Sequence, residues 1–187
     1  LERVLDAGID TFVSLQAELP AQDAPTEWPA DGRIHLSGAA GARFPAPFVR
    51  YHDDALGAAG AARRLSFVHF PIPDLSVPAR EEELRGLLDG LLERVERDDA
   101  RLYVHCWGGR GRAGLVGAAL LALLRPELEA ADVLRVTQFG YDTRKGAKGM
   151  KGSLARSPQT DEQREWVAHF VHQLESAREQ LSREDEE

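Results

Sequence analysis

His105-Cys106-Trp107-Gly108-Gly109-Arg110-Gly111-Arg112-Ala113-Gly114 is the stretch on which the fold turns. Arg101–His105 before it is a short apolar run that reads as a strand. Ala113–Leu124 after it is almost wholly apolar and reads as a buried helix ended before Pro126. A strand feeding a helix through a glycine-rich turn is the local grammar of an α/β domain. The turn also has a chemistry. Glycines allow successive backbone N–H groups to face inward as an anion nest, and the helix start adds its dipole. A cysteine at the mouth of such a nest is pushed toward the nucleophilic thiolate. An arginine six residues on, Arg112, can return to the same point and grip two oxygens of an oxyanion.

Working outward, Ile9–Leu15 and Leu65–Phe70 read as two further strands, the second stopped by Pro71-Ile72-Pro73-Asp74. Leu1–Ala7 has helical spacing. Residues 79–97 place Leu84, Leu87, Leu88, Leu91, Leu92 and Val95 on one helical face, and another helix spans roughly 128–139. The last helix opens with a capping box, Thr160-Asp161-Glu162-Gln163, and buries Trp166, Val167, Phe170, Val171 and Leu174. Residues 20–64 form an irregular excursion, rich in proline up to residue 47, with short strands near Arg33–Leu36 and Phe48–Tyr51. One domain over 1–180 is expected, an α/β fold with a central, mainly parallel sheet flanked by helices. An acidic, disordered tail is expected over 181–187. Loops beginning at Gln16, Pro71 and Cys106 then share the carboxyl rim of the sheet, where such folds bind ligands.

Composition narrows the function. The chain has 187 residues and a net charge of −8, which argues against nucleic acid as a partner. No apolar run reaches bilayer length. The lone cysteine, Cys106, excludes an internal disulfide and points to a reducing compartment, with the cytoplasm as the expectation. Because the chain opens at Leu1, import into an organelle stays open. Oligomeric state is not legible. Twenty residues are arginine and three are lysine, Lys145, Lys148 and Lys151, all in one segment. Between Tyr141 and Ser157 five cations face one acid, Asp142. A mobile basic arm of this kind steers multiply anionic substrates, although a solvated loop explains it equally well. Trp107 is more simply an anchor in the fold than a substrate contact, and Arg110 adds positive charge at the mouth. The other histidines show no metal-ligand spacing.

His-Cys-x-x-Gly-x-x-Arg resembles the signature loop of the cysteine-based protein tyrosine and dual-specificity phosphatases. The likeness covers residues 65–175 well and the first 64 loosely. It implies the compact dual-specificity phosphatase-like fold, with no cofactor and no metal. It implies Cys106 as nucleophile, and Arg112 with the loop from Trp107 through Gly108, Gly109, Arg110 and Gly111 as the phosphate cradle. Asp74, 32 residues before Cys106, matches the general acid of the small members, and Gln163 resembles the glutamine that positions the attacking water. As a capping residue Gln163 has an equally good structural explanation, and Gln159 competes for the role. His105 would fix the loop and help keep Cys106 ionised. The implied partner is a phosphorylated protein or another anionic phosphomonoester.

Ala113 departs from the pattern, since most relatives carry Ser or Thr there. The missing hydroxyl predicts a slow second step, and the phosphatases of regenerating liver share the alanine. Three alternatives follow. One is a phosphatase of phosphoinositides, inositol phosphates or phosphoglucans. Another is a weakly active phospho-binding scaffold. The last is a sulfurtransferase, disfavoured because its loop needs neither the upstream acid nor this arginine.

Overall fold

The computed structural model describes residues 1–43 and 45–184, without the side chains of 39, 40 and 43. Helix α1 (Glu2–Asp6) leads into strand β1 (Thr11–Gln16), whose six residues are all buried. A strand covered on both faces can be apolar along its whole length, and this one is the centre of the sheet. Strands β4 (Ser66–Ile72) and β5 (Leu102–His105) flank it, both parallel, in the order β4-β1-β5. In register, Ser14 stands opposite His69 on one side and His105 on the other.

The connection from β1 to β4 carries a two-stranded antiparallel ribbon, β2 (Arg33–Ile34) and β3 (Phe48–Val49). It also carries helices α2 (Gly38–Arg43) and α3 (His52–Ala59), so the excursion is more structured than the sequence implied. Helix α3 was not legible because it buries only Ala55 and shows no apolar stripe. Arg50 and Tyr51 tie this segment down: Arg50 Nε donates to the Gln22 carbonyl and the Tyr51 N–H to Gln22 Oε1. Arg63 donates to the carbonyls of Leu5 and Ile9, fastening the far end of the excursion to the start of the chain.

Pro71 does not stop β4. Between Ser14 and Gln16 the pairing with β4 shifts by an extra residue, and the strand continues to Ile72. A bulge on an edge strand is where a residue without an N–H can sit.

Helices α4 (Glu81–Asp98), α5 (Arg112–Leu124), α6 (Ala130–Asp142) and α7 (Asp161–Glu184) complete the domain. The core joins Val13 and Leu15 of the sheet to Leu84, Leu88 and Leu91 of α4, Leu115 and Val116 of α5, and Val167, Phe170 and Val171 of α7. Trp166 is only partly buried and stacks on Phe170 with ring centroids 5.2 Å apart. Alternate residues of the same strands make the other face aromatic, with Phe12 against Phe67 at 5.4 Å and Tyr103 against His105 at 5.4 Å. Helix α7 runs through residues 181–184, so that part of the expected tail is helical. Residues 185–187 lie outside the described residues. Among the described residues no helix is long and apolar enough to cross a membrane.

Candidate active site

The carboxyl ends of the three strands deliver Cys106 from β5, Asp74 just beyond β4 and Glu18 just beyond β1. Gly111 is the N-cap of α5, and Arg112 is the helix's first residue. The loop needs glycine at 109, where φ is +63°. A Cβ there would also stand 2.8 Å from Arg144 Nη1.

Arg112 is the hub. It is 1% exposed although it carries a charge. Nη1 donates to Glu18 Oε2 at 2.7 Å, Glu18 Oε1 at 3.0 Å and the Ile72 carbonyl at 3.0 Å. Nη2 lies 3.1 Å from Asp74 Oδ1. Two carboxylates from two strand ends therefore offset one buried guanidinium, as a buried charge requires. The sequence pointed to Asp74 and Arg112, and the fold places them in contact. Glu18 was missed, although it is the first acid after β1, on the rim where a loop beginning at Gln16 was expected.

His105 is mostly buried, and its Nε2 lies 2.6 Å from the Tyr51 hydroxyl. Burial pushes its pKa down to about 4, against the opposing pull of a hydrogen bond to the Cys106 backbone. Burial, reinforced by Tyr103, pushes the Tyr51 hydroxyl well above its usual range, so it keeps its proton. Tyr51 is thus the donor and neutral His105 the acceptor at Nε2. The ring proton is left on Nδ1. Cys106 is part-buried against the core, and Trp107 beside it is 51% exposed.

Arg110 departs from expectation. It is 7% exposed, and its Nε donates to Gln159 Oε1 at 3.2 Å, so its charge is folded beneath the loop and not displayed at the mouth. Its carbonyl accepts from Ser157 Oγ at 2.9 Å. Arg144 reaches the loop instead, with Nη1 donating to the carbonyls of Gly108 at 3.1 Å and Gly109 at 3.0 Å. Lys145, Lys148 and Lys151 are exposed on the same segment between α6 and α7. The basic segment thus borders the loop through an arginine.

Gln163 forms the capping box. Its N–H donates to Thr160 Oγ1 at 3.1 Å, and its Oε1 accepts from the N–H groups of Thr160 at 3.2 Å and Gln159 at 3.1 Å. Its Nε2 donates to the Ser76 carbonyl at 2.9 Å, bridging α7 to the segment after Asp74. The amide is fully buried and lies beside Gly111, where a Cβ would come within 3.2 Å of Oε1. The fold brings Gln163 to the loop with both ends of its amide committed to backbone. Among the described residues no cluster of three or more His, Cys, Asp or Glu could hold a metal ion.

Comparison with known proteins agrees with this architecture. The active form of Tk-PTP superposes over 92% of this chain and 86% of its own, with a TM-score of 0.54 and 26% identity. A mutant form of Tk-PTP superposes over 93% and 86%, with a TM-score of 0.56 and 24% identity. The protein named "Putative tyrosine phosphatase 197R" of Invertebrate iridescent virus 6 is 31% identical over 77 residues. That match spans 40% of this chain and 29% of the viral protein, under a third of its length. The family model described as "PTP-SAK: Swiss Army Knife protein, DSP-PTPase phosphatase domain" matches residues 55–167. With the parallel sheet, its helical cover and the rim of strand ends in place, the chain belongs to this PTP-SAK family of DSP-PTPase phosphatase domains.

Proposed function

We propose that this domain hydrolyses phosphomonoesters through a phosphocysteine on Cys106. The observation that carries the reading is the ion pair between Arg112 and Asp74, which unites the end of the cysteine loop with an acid 32 residues upstream of the cysteine. Cys106 sulfur attacks phosphorus in line and the ester P–O bond breaks. The leaving oxygen takes its proton from Asp74. Loop N–H groups from Trp107 to Arg112 and the Arg112 guanidinium hold the equatorial oxygens. The arriving dianion displaces Asp74 from Nη2, and the freed carboxylate takes up from water the proton that it then gives to the leaving oxygen. Water then attacks phosphorus, gives a proton to Asp74, and the S–P bond breaks. In this scheme Gln163 holds the segment after Asp74 against α7. Orienting the water requires it to release the Ser76 carbonyl. Glu18 and Tyr51–His105 are positioning groups, behind Arg112 and Cys106 respectively.

A phosphorylated protein is the simplest substrate. The exposed lysines beside the loop also favour other multiply anionic phosphomonoesters. Ala113 favours a second reading, in which the phospho form is held and turned over slowly.

The test is to trap the intermediate. Wild-type protein mixed with an aryl phosphate and quenched in acid is expected to carry one phosphoryl group on the peptide containing Cys106, read by mass spectrometry. Measurable turnover with that peptide never phosphorylated would overturn the reading. Ala113→Ser is expected to shorten the lifetime of the trapped species and raise steady-state turnover several-fold, because a hydroxyl beside the sulfur stabilises the departing thiolate. An unchanged lifetime would remove the explanation given for this position.

A further inference from the structure

The segment between α6 and α7 grips the cysteine loop by its carbonyls. Arg144 Nη1 donates to two in succession, those of Gly108 at 3.1 Å and Gly109 at 3.0 Å. Ser157 Oγ donates to the next, that of Arg110, at 2.9 Å. The peptide units joining residues 108–109, 109–110 and 110–111 are trans. In a trans unit the N–H points opposite to the carbonyl it shares a plane with. The N–H groups of Gly109, Arg110 and Gly111 therefore point away from the donors that hold the three carbonyls. None of these N–H groups has a hydrogen-bond partner among the described residues. Gly109, at φ +63°, supplies the left-handed residue around which successive N–H groups form an anion nest.

Such a nest needs its carbonyls held. Gly108 and Gly109 stand at the two ends of one peptide unit, and glycine lets that unit turn over at little cost. Turned over, it would present a carbonyl oxygen where an anion is to bind. Arg144 opposes this at the pair of residues least able to resist it. The guanidinium has a firm footing, 5.2 Å from the centroid of the Tyr141 ring. That ring is 5% exposed, and its hydroxyl donates to the Leu154 carbonyl at 2.8 Å. Ser157, the second hold, is buried.

We propose that Arg144 and Ser157 are positioning residues for the phosphate cradle, fixing the peptide units of the loop so that the N–H groups of Gly109, Arg110 and Gly111 meet the phosphoryl oxygens. The proposal rests on the reading of this loop as the cradle. It gives the basic segment a task that does not depend on attracting substrate: its arginine orders the loop whatever the charge of the ligand.

Titration of the wild-type protein with inorganic phosphate, followed by amide proton and nitrogen NMR, tests this. The amide protons of Gly109, Arg110 and Gly111 are expected to move downfield saturably as they donate to the anion. In Arg144→Met the responses of Gly109 and Arg110 at saturation are expected to fall by half or more, with that of Gly111 kept. Phosphate binding is expected to weaken about tenfold, the worth of one hydrogen bond to a charged group. Ser157→Ala is expected to show the converse, a diminished response at Gly111 with the other two kept. The same spectra report whether each variant is folded. A residue that acted only through its charge would leave the amide responses intact, and its effect on affinity would vanish at about 1 M salt, where screening shortens to about 3 Å. That pattern in Arg144→Met overturns the proposal. So does a wild type without a saturable response at these amides, even where Cys106 is trapped as phosphocysteine. The reverse result, the amide pattern as expected with Cys106 never phosphorylated, upholds the positioning role and overturns only the covalent chemistry.

Discussion

Arg112→Met is expected to lower turnover of an aryl phosphate about a thousandfold and to lower the melting temperature by about 10 °C. Both effects come from one side chain, but for different reasons. In turnover the guanidinium is the fixed charge that meets the developing negative charge on the equatorial oxygens. In the resting fold it is the counter-ion of Glu18, at 2.7 Å, and of Asp74, at 3.1 Å. Methionine keeps the stem's bulk and removes the charge, leaving two carboxylates facing each other at a buried rim. Breaking a buried pair by deleting one partner costs about 3–5 kcal/mol. For a domain of this size each kcal/mol moves the melting temperature by about 2–4 °C.

The double variant separates the two roles. Adding Glu18→Gln to Arg112→Met removes one of the orphaned charges and is expected to return part of the lost melting temperature with none of the lost turnover. Glu18→Gln alone keeps an acceptor for Nη1 and is expected to slow turnover modestly. Near-normal turnover by Arg112→Met would sink the role given to this residue, whatever happened to its stability.

How far the sequence reaches is clear from individual residues. The three parallel strands and helices α4–α7 were readable because burial on the sheet demands either an apolar stripe, as in α4 and α7, or an apolar run, as in β1 and α5. Pro71 misled, since a proline in isolation predicts a strand end, and only the bulge opposite Leu15 makes room for it. The contact between Arg112 and Asp74 joins two residues that the sequence singled out, the arginine by its place in the loop and the acid by its spacing from Cys106. Contacts between distant residues were not readable. Glu18 meets Arg112 across 94 positions, and Arg144 meets Gly109 across 35. Nothing local to either residue encodes the meeting. Arg110 shows the converse limit. Its charge counts in any tally of the loop, but Gln159 draws it beneath the surface, and a tally cannot see direction. Gln163 was the balanced case. Its capping box is local and was legible; its bridge to the Ser76 carbonyl is tertiary and was not.

The pair Tyr51–His105 makes a stability prediction whose sign can be worked out. In the fold burial holds His105 near a pKa of about 4, whereas an unfolded histidine titrates near 6.5. Between those values the unfolded chain binds a proton that the folded chain refuses. The contribution is therefore fully present above about pH 6.5 and is lost as pH falls toward about 4. From pH 7 to pH 5 the loss is expected to be about 2 kcal/mol from this one group. Urea unfolding at the two pH values measures it directly. His105→Gln is expected to be less stable at pH 7, because the Tyr51 hydroxyl and the Cys106 backbone lose a well-fitted partner, yet to show a drop between pH 7 and pH 5 that is smaller by about 2 kcal/mol. Tyr51→Phe works on the same equilibrium from the other side. The hydroxyl donates to Nε2 of the neutral ring, so its removal takes away a bond that only the neutral form accepts. The folded pKa of His105 then rises, and the acid-sensitive window narrows from its lower edge. An unchanged pH dependence in His105→Gln would mean that some other group carries the acid sensitivity. Burial on the aromatic face would then not hold the histidine behind Cys106 neutral through that range.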